Sequence, residues 1–219
     1  MRTGLPAATI GAMTTSTAPH PSPPITRPLG PPPRRSLAWA SYAASAWAAA
    51  YAVGVRGYQG LGGTVGLPGT FEDPSGFRRA SLVAGAGLLL IALGALGFAR
   101  PWGLRLPRWL LVAPALAGSA LAVAHALTGF VTKPLHLLDV MQIEFRGWER
   151  HDEGKAIAWD LLFYEPWFLG LGILVTLAAL HHVRRTGGSR RTERRLVLAT
   201  AAGAIVLTAL ACASLAADG

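Results

Sequence analysis

Three ionisable residues of this 219-residue chain lie within or beside long apolar stretches, where a charge has few partners. His125 sits inside the apolar run 109–131, and Asp160 and Glu165 stand at the opening of the run 161–180. A carboxylate and an imidazole meeting in a low-dielectric medium favour each other's charged form against desolvation. That pairing suits a proton relay or a ligand contact. Polar side chains inside a membrane span face the protein interior. Pro114, Gly118, Ala122, His125 and Gly129 follow at steps of three or four and share one helical face, which should meet another helix. With that helix centred near residue 120, His125 lies about 7 Å beyond the midplane at 1.5 Å per residue.

Each of these residues also has a plainer reading. His125 can serve as a single interhelical hydrogen bond. Pro166 suits the first turn of a helix, which would put Glu165 at a helix start among interfacial aromatic residues. An acid there is favoured by the helix dipole. Glu165, Gly172 and Thr176 nonetheless share a slightly polar face.

The remaining motifs carry less chemistry. No second histidine stands at a similar depth in a span, which argues against haem, and no cofactor or metal is assigned. His151, Asp152 and Glu153 are adjacent and point in different directions, so they read as a charged turn rather than a metal site. Gly60, Gly62, Gly63, Gly66 and Gly69 resemble a phosphate-binding loop only superficially. They follow a span instead of a strand and lack the Lys-Ser/Thr pair, so they read as a flexible loop. The one cysteine, Cys212, excludes an intramolecular disulfide and a CxxC site.

The elements that position these residues follow from composition. Hydrophobic residues make up 52% of the chain and charged ones 14%, against roughly 25% charged in globular proteins. The apolar residues come in blocks of about twenty, the length that crosses about 30 Å of hydrocarbon. The expected fold is all-α, a polytopic bundle with spans near 37–55, 80–99, 109–131, 161–180 and 196–216. In the first block Ser41, Ser45, Ala48 and Ala52 form a small-residue stripe suited to close helix packing. Trp39, Tyr42, Trp47 and Tyr51 spread over its other side.

Residues 1–36 hold nine of the sixteen prolines, which predicts a disordered, partly polyproline-II tail, with Met13 as a second candidate start. Residues 132–159 form the longest loop. Leu138, Met141, Phe145 and Trp148 fit one face of an interfacial helix, although Met141, Ile143 and Phe145 also fit strand alternation.

The net charge of +9 does not point to nucleic acid, because the arginines flank the apolar blocks and no basic groove with interleaved aromatics is present. Thirteen Lys and Arg fall on the side of the tail, the 100–108 turn and the 181–195 loop, against seven on the other. The positive-inside rule then puts the N-terminus in the cytoplasm and the C-terminus outside. The 181–195 arginines would also meet anionic headgroups, although topogenesis alone explains them.

Gly62, Gly63, Thr64, Val65 and Gly66, with the run from Trp159 to Phe168, resemble small multi-pass membrane proteins of unknown function common in actinobacteria. The resemblance covers residues 37–181 and implies an integral protein of the plasma membrane, with no catalytic residue to carry over. Three functions fit. The first is a non-catalytic membrane component that packs against partner helices, other membrane proteins or its own copies, through Gly/Ala faces. The second is a small transporter or permease-like protein using the His125/Glu165 region. The third is an intramembrane enzyme, disfavoured because no cofactor motif or ligand set is visible.

Overall fold

The computed structural model describes residues 36–144 and 147–218. The expected proline-rich tail concerns residues 1–36, of which 1–35 lie outside the described part. Five helices follow. The first, α1, covers 38–60, running as α-helix over Ala38–Tyr51, as a wider π turn over Ala52–Gly57 and as α-helix again over Tyr58–Gly60. Next come α2 (Pro74–Ala99), α3 (Arg108–Leu137), α4 (Glu153–Arg185, with a π turn at Asp160–Tyr164) and α5 (Arg190–Asp218). Helices α2 to α5 are each long and apolar enough to cross a membrane. The molecule is an all-α bundle of membrane type, as its sequence predicts, but α1, over the first of the five expected spans (37–55), is not among these four, because its alanine-rich run is only mildly apolar.

Local chemistry sets the helix ends. At the start of α2 the Asp73 carboxylate accepts from Gly76 N at 2.9 Å and Ser75 Oγ at 2.8 Å, and Pro74 fills the first helical position. Those two bonds hold the Asp73 carboxyl below the usual carboxylate range. Arg100, which precedes Pro101, is extended, and α2 ends there. Gly187 at φ +77° closes α4, with Gly188 N donating to Val183 O at 2.8 Å.

The core lies among α1, α2 and α4, built from Ala44, Ala48 and Tyr51, from Leu88, Ala92 and Phe98, and from Val175 and Ala179. Ser41, Ala48 and Ala52 are buried on the expected stripe. Tyr51 departs from expectation. It is buried in the core, with Phe163, Tyr164, Trp167 and Phe168 around its ring. A large ring gains more from that aromatic pocket of α4 than from lipid contact. Helix α3 lies along α4, where Ser119 Oγ meets Gly172 O at 2.5 Å and Thr176 Oγ1 at 2.6 Å. Helix α5 packs mainly against α3 and keeps little of its surface buried.

The long loop differs from its sequence reading. Helix α3 continues to Leu137, and α4 begins at Glu153. No interfacial helix runs over Leu138, Met141 and Trp148, while Phe145 is outside the described residues. Trp148 instead opens strand β2 (Trp148–His151), which pairs antiparallel with β1 (Gly69–Phe71) from the glycine-rich loop. Phe71 is held between Phe77 and Trp148 at ring-centroid distances of 3.7 and 3.9 Å. Backbone pairing plus this aromatic stack outweighs an amphipathic helix lying free. Gly69 is required where the strands meet, because a Cβ there would sit 1.9 Å from Arg150 O.

Candidate functional site

Helix α3 carries His125, Gly129 and Lys133 at steps of four, hence on one face. Helix α4 carries Asp160 and Glu165, five residues apart. In a regular α-helix residues five apart sit about 140° from each other around the axis. The π turn at Asp160–Tyr164, with its i→i+5 spacing, brings both carboxylates toward the same neighbour. Pro166 gives that turn a local cause. Its ring would meet the carbonyl of Leu162 one α-turn earlier, and it has no N–H to donate.

The shared neighbour is Lys133. Its Nζ lies 3.0 Å from Asp160 Oδ2 and also contacts Glu165 Oε1. His125 Nε2 stands 3.6 Å from Glu165 Oε2. The Glu165 side chain is 2% exposed and that of Lys133 14%, whereas Asp160 is 30% and His125 57% exposed. Glu165 Oε2 has no hydrogen-bond partner among the described residues. The cluster formally holds two carboxylates and one ammonium, with one imidazole beside Glu165.

Glycine 129 makes room for this arrangement. A Cβ there would lie 2.0 Å from Glu165 Oε1. Gly118, on the same predicted stripe, has open space where a Cβ would be, so the stripe does not pack along its whole length. Glu165 is also not at a helix start, because α4 continues without a break from Glu153. The dipole account of this acid therefore fails. Asp152 performs that role instead, accepting from Lys155 N at 2.9 Å. Glu153 pairs with His136, whose Nδ1 accepts from Ile143 N at 3.2 Å.

Two clefts meet at the cluster. One, of about 270 Å³, has aromatic walls from Tyr51, Trp159, Tyr164 and Phe168 and reaches Asp160 and Arg56. Arg56 Nη1 donates to Gln59 Oε1 at 3.3 Å, and Gln59 Nε2 to Tyr164 Oη at 3.4 Å. The buried Tyr51 hydroxyl has no hydrogen-bond partner among the described residues. The other cleft, of about 410 Å³, lies between α3 and α5 and is lined by Leu121, Leu207 and Ala211 with Lys133 and Glu165. His125 borders both. Among the described residues no three His, Cys, Asp or Glu side chains converge as a metal-holding group.

Residues 54–175 match the model of a family described as Protein of unknown function (DUF3995). The chain belongs to that family. No curated protein and no solved structure matches it. The matched segment contains His125, Gly129, Lys133, Asp160 and Glu165, and it leaves out α5.

The structure thus brings Asp160 and Glu165 around a lysine that sequence reading assigned to a loop, with His125 beside the other oxygen of Glu165. The charge of Lys133 ended the predicted third span at 131. A signal was available, since Lys133 continues the four-residue step from His125 and Gly129. Tyr51, Arg56 and Gln59 carried no comparable signal, because only the packing of α1 on α4 brings them to the cleft.

Proposed function

We propose that this chain is a small permease-like protein of the plasma membrane that binds and releases a monovalent cation, a proton or an organic ammonium, at the Lys133–Asp160–Glu165–His125 cluster. In this reading the N-terminus is cytoplasmic, the C-terminus is outside, and the cluster lies toward the outer end of the bundle.

The observation that carries the reading is the meeting of two clefts at one charged layer, with His125 bordering both. Buried ionisable groups in a span are costly and mark ion and substrate pathways. Two carboxylates sharing one ammonium leave a formal charge of −1, which a cation neutralises. Aromatic walls beside Asp160 suit a cation, and Arg56 already stands 5.7 Å from the centroid of the Tyr51 ring.

The test uses purified protein in liposomes holding a pH-sensitive dye, with the membrane potential clamped. Proton entry after an acid step and uptake of labelled tetramethylammonium are followed together. At least one should exceed the rate of empty liposomes and return to it with His125→Leu or Glu165→Gln. If wild-type protein moves neither ion faster than empty liposomes, the reading is wrong.

A second reading, as a non-catalytic component that packs against partner helices, is favoured by α5, which leaves most of its surface uncovered by this chain. Cross-linked co-purification from native membranes that returns one stoichiometric partner, lost when α5 residues are changed, would favour it.

A further inference from the structure

The cleft between α3 and α5 has the form of a site for a molecule delivered sideways from the bilayer. Its walls are Leu121, Leu207, Ala211 and Leu215, and Ile143 helps line it. Leu121 and Leu207 are themselves exposed on the flank of the bundle, on the α3 and α5 sides of this cleft. At about 410 Å³ it lies within the range of small-molecule sites, about 300–1,000 Å³.

One buried polar atom in this apolar space lacks a hydrogen-bond partner. Glu165 is almost wholly buried, its Oε1 is taken by Lys133, and its Oε2 accepts nothing. A buried carboxylate oxygen without a donor is costly. His125 Nε2, at 3.6 Å, is beyond hydrogen-bond reach.

We propose that this cleft binds a single-chain amphiphile with a protonated amine head. The head donates to Glu165 Oε2 and the alkyl tail lies along Leu121, Leu207 and Leu215. The choice of an ammonium follows from the formal −1 of the cluster, which repels an anionic head and gains less from a neutral hydroxyl. The inference rests on the cation-binding reading for the charge of the cluster and adds the class of ligand and its route of entry. Gly129 contributes by letting Glu165 reach the wall of the cleft, since any side chain there would displace it.

The full chain in phosphatidylcholine nanodiscs is titrated with labelled dodecylamine, and binding to empty nanodiscs is subtracted. Dodecanol and dodecanoate, with matching tails, are competitors. Dodecylamine should bind saturably, dodecanol should compete at least about tenfold more weakly, and dodecanoate should not compete. Glu165→Gln should weaken dodecylamine binding by about tenfold or more. Ala211→Phe fills the cleft without touching the ion cluster. It should abolish dodecylamine binding, and an unshifted melting curve in micelles should show that the variant still folds. Equal competition by dodecanol, or undiminished dodecylamine affinity in Ala211→Phe, would overturn the proposal. Amine binding without ion flux would instead sink only the transport reading, so the two can fail separately.

Discussion

Gly129 and Glu165 exclude each other's growth. The space a Cβ would take on Gly129 is already held by the Glu165 carboxylate, 2.0 Å from that position. Gly129→Ala must push Glu165 off its contact with Lys133. We expect a loss of about 1–3 kcal/mol, the usual cost of overpacking. Gly118→Ala is the control, because its Cβ would enter open space. It should be neutral or stabilising by up to about 1 kcal/mol, the glycine-to-alanine gain in a helix. Unfolding in mixed micelles compares the two, and equal losses would remove the packing argument.

Lys133 balances two acids, so its loss should cost more than its replacement together with a partner. Lys133→Met leaves the Glu165 charge buried without its ammonium, and about 3–5 kcal/mol of stability should disappear. Adding Glu165→Gln should recover much of that loss, because the unpaired charge is gone. A double-mutant cycle measures the difference directly. Strict additivity of the two single effects would contradict the ion pair.

The Asp73 cap makes a pH prediction. Its carboxyl is held below the ordinary range chiefly by the bond from Gly76 N, then by that from Ser75 Oγ. A depressed carboxylate pKa adds stability that is fully present above the unfolded pKa and is lost as pH falls through the folded one. The apparent melting temperature of the wild type should therefore fall on acidification below the usual carboxylate range. Asp73→Asn, which can still accept one bond, should show a flatter acid limb. A limb unchanged by that substitution would assign the acid sensitivity elsewhere.

Ser119 joins α3 to α4 through Gly172 O and Thr176 Oγ1. Ser119→Ala should cost about 0.5–2 kcal/mol, the span measured for interhelical hydrogen bonds in membranes. Thr176→Val should cost less. Its hydroxyl also bonds Gly172 O within its own helix, and that carbonyl keeps Ser119 as a donor. Reversal of that order would contradict Ser119 as the main link.

Much of the architecture was readable because lipid imposes a single rule on every span. Backbone groups must be satisfied within the segment, so a block of about twenty apolar residues has few choices besides helix. Apolar blocks and flanking arginines accordingly predicted the bundle. Helix ends were less readable. Taken one at a time, Lys133 looks like the end of a helix and Pro166 like the start of one. In the structure, Lys133 is neutralised by acids from another helix, and a π turn precedes Pro166.

The sequence by itself determined a helical bundle of membrane type, with three ionisable residues within or beside its apolar blocks. Tertiary structure alone decided that Asp160 and Glu165 face the same lysine and that Glu165 occupies the hollow over Gly129. It also placed Tyr51 inward rather than toward lipid. These outcomes depend on the wider π turn and on how closely α1 and α3 approach α4. Neither is encoded in the period of an apolar pattern, which fixes the face of a helix but not what that face will meet.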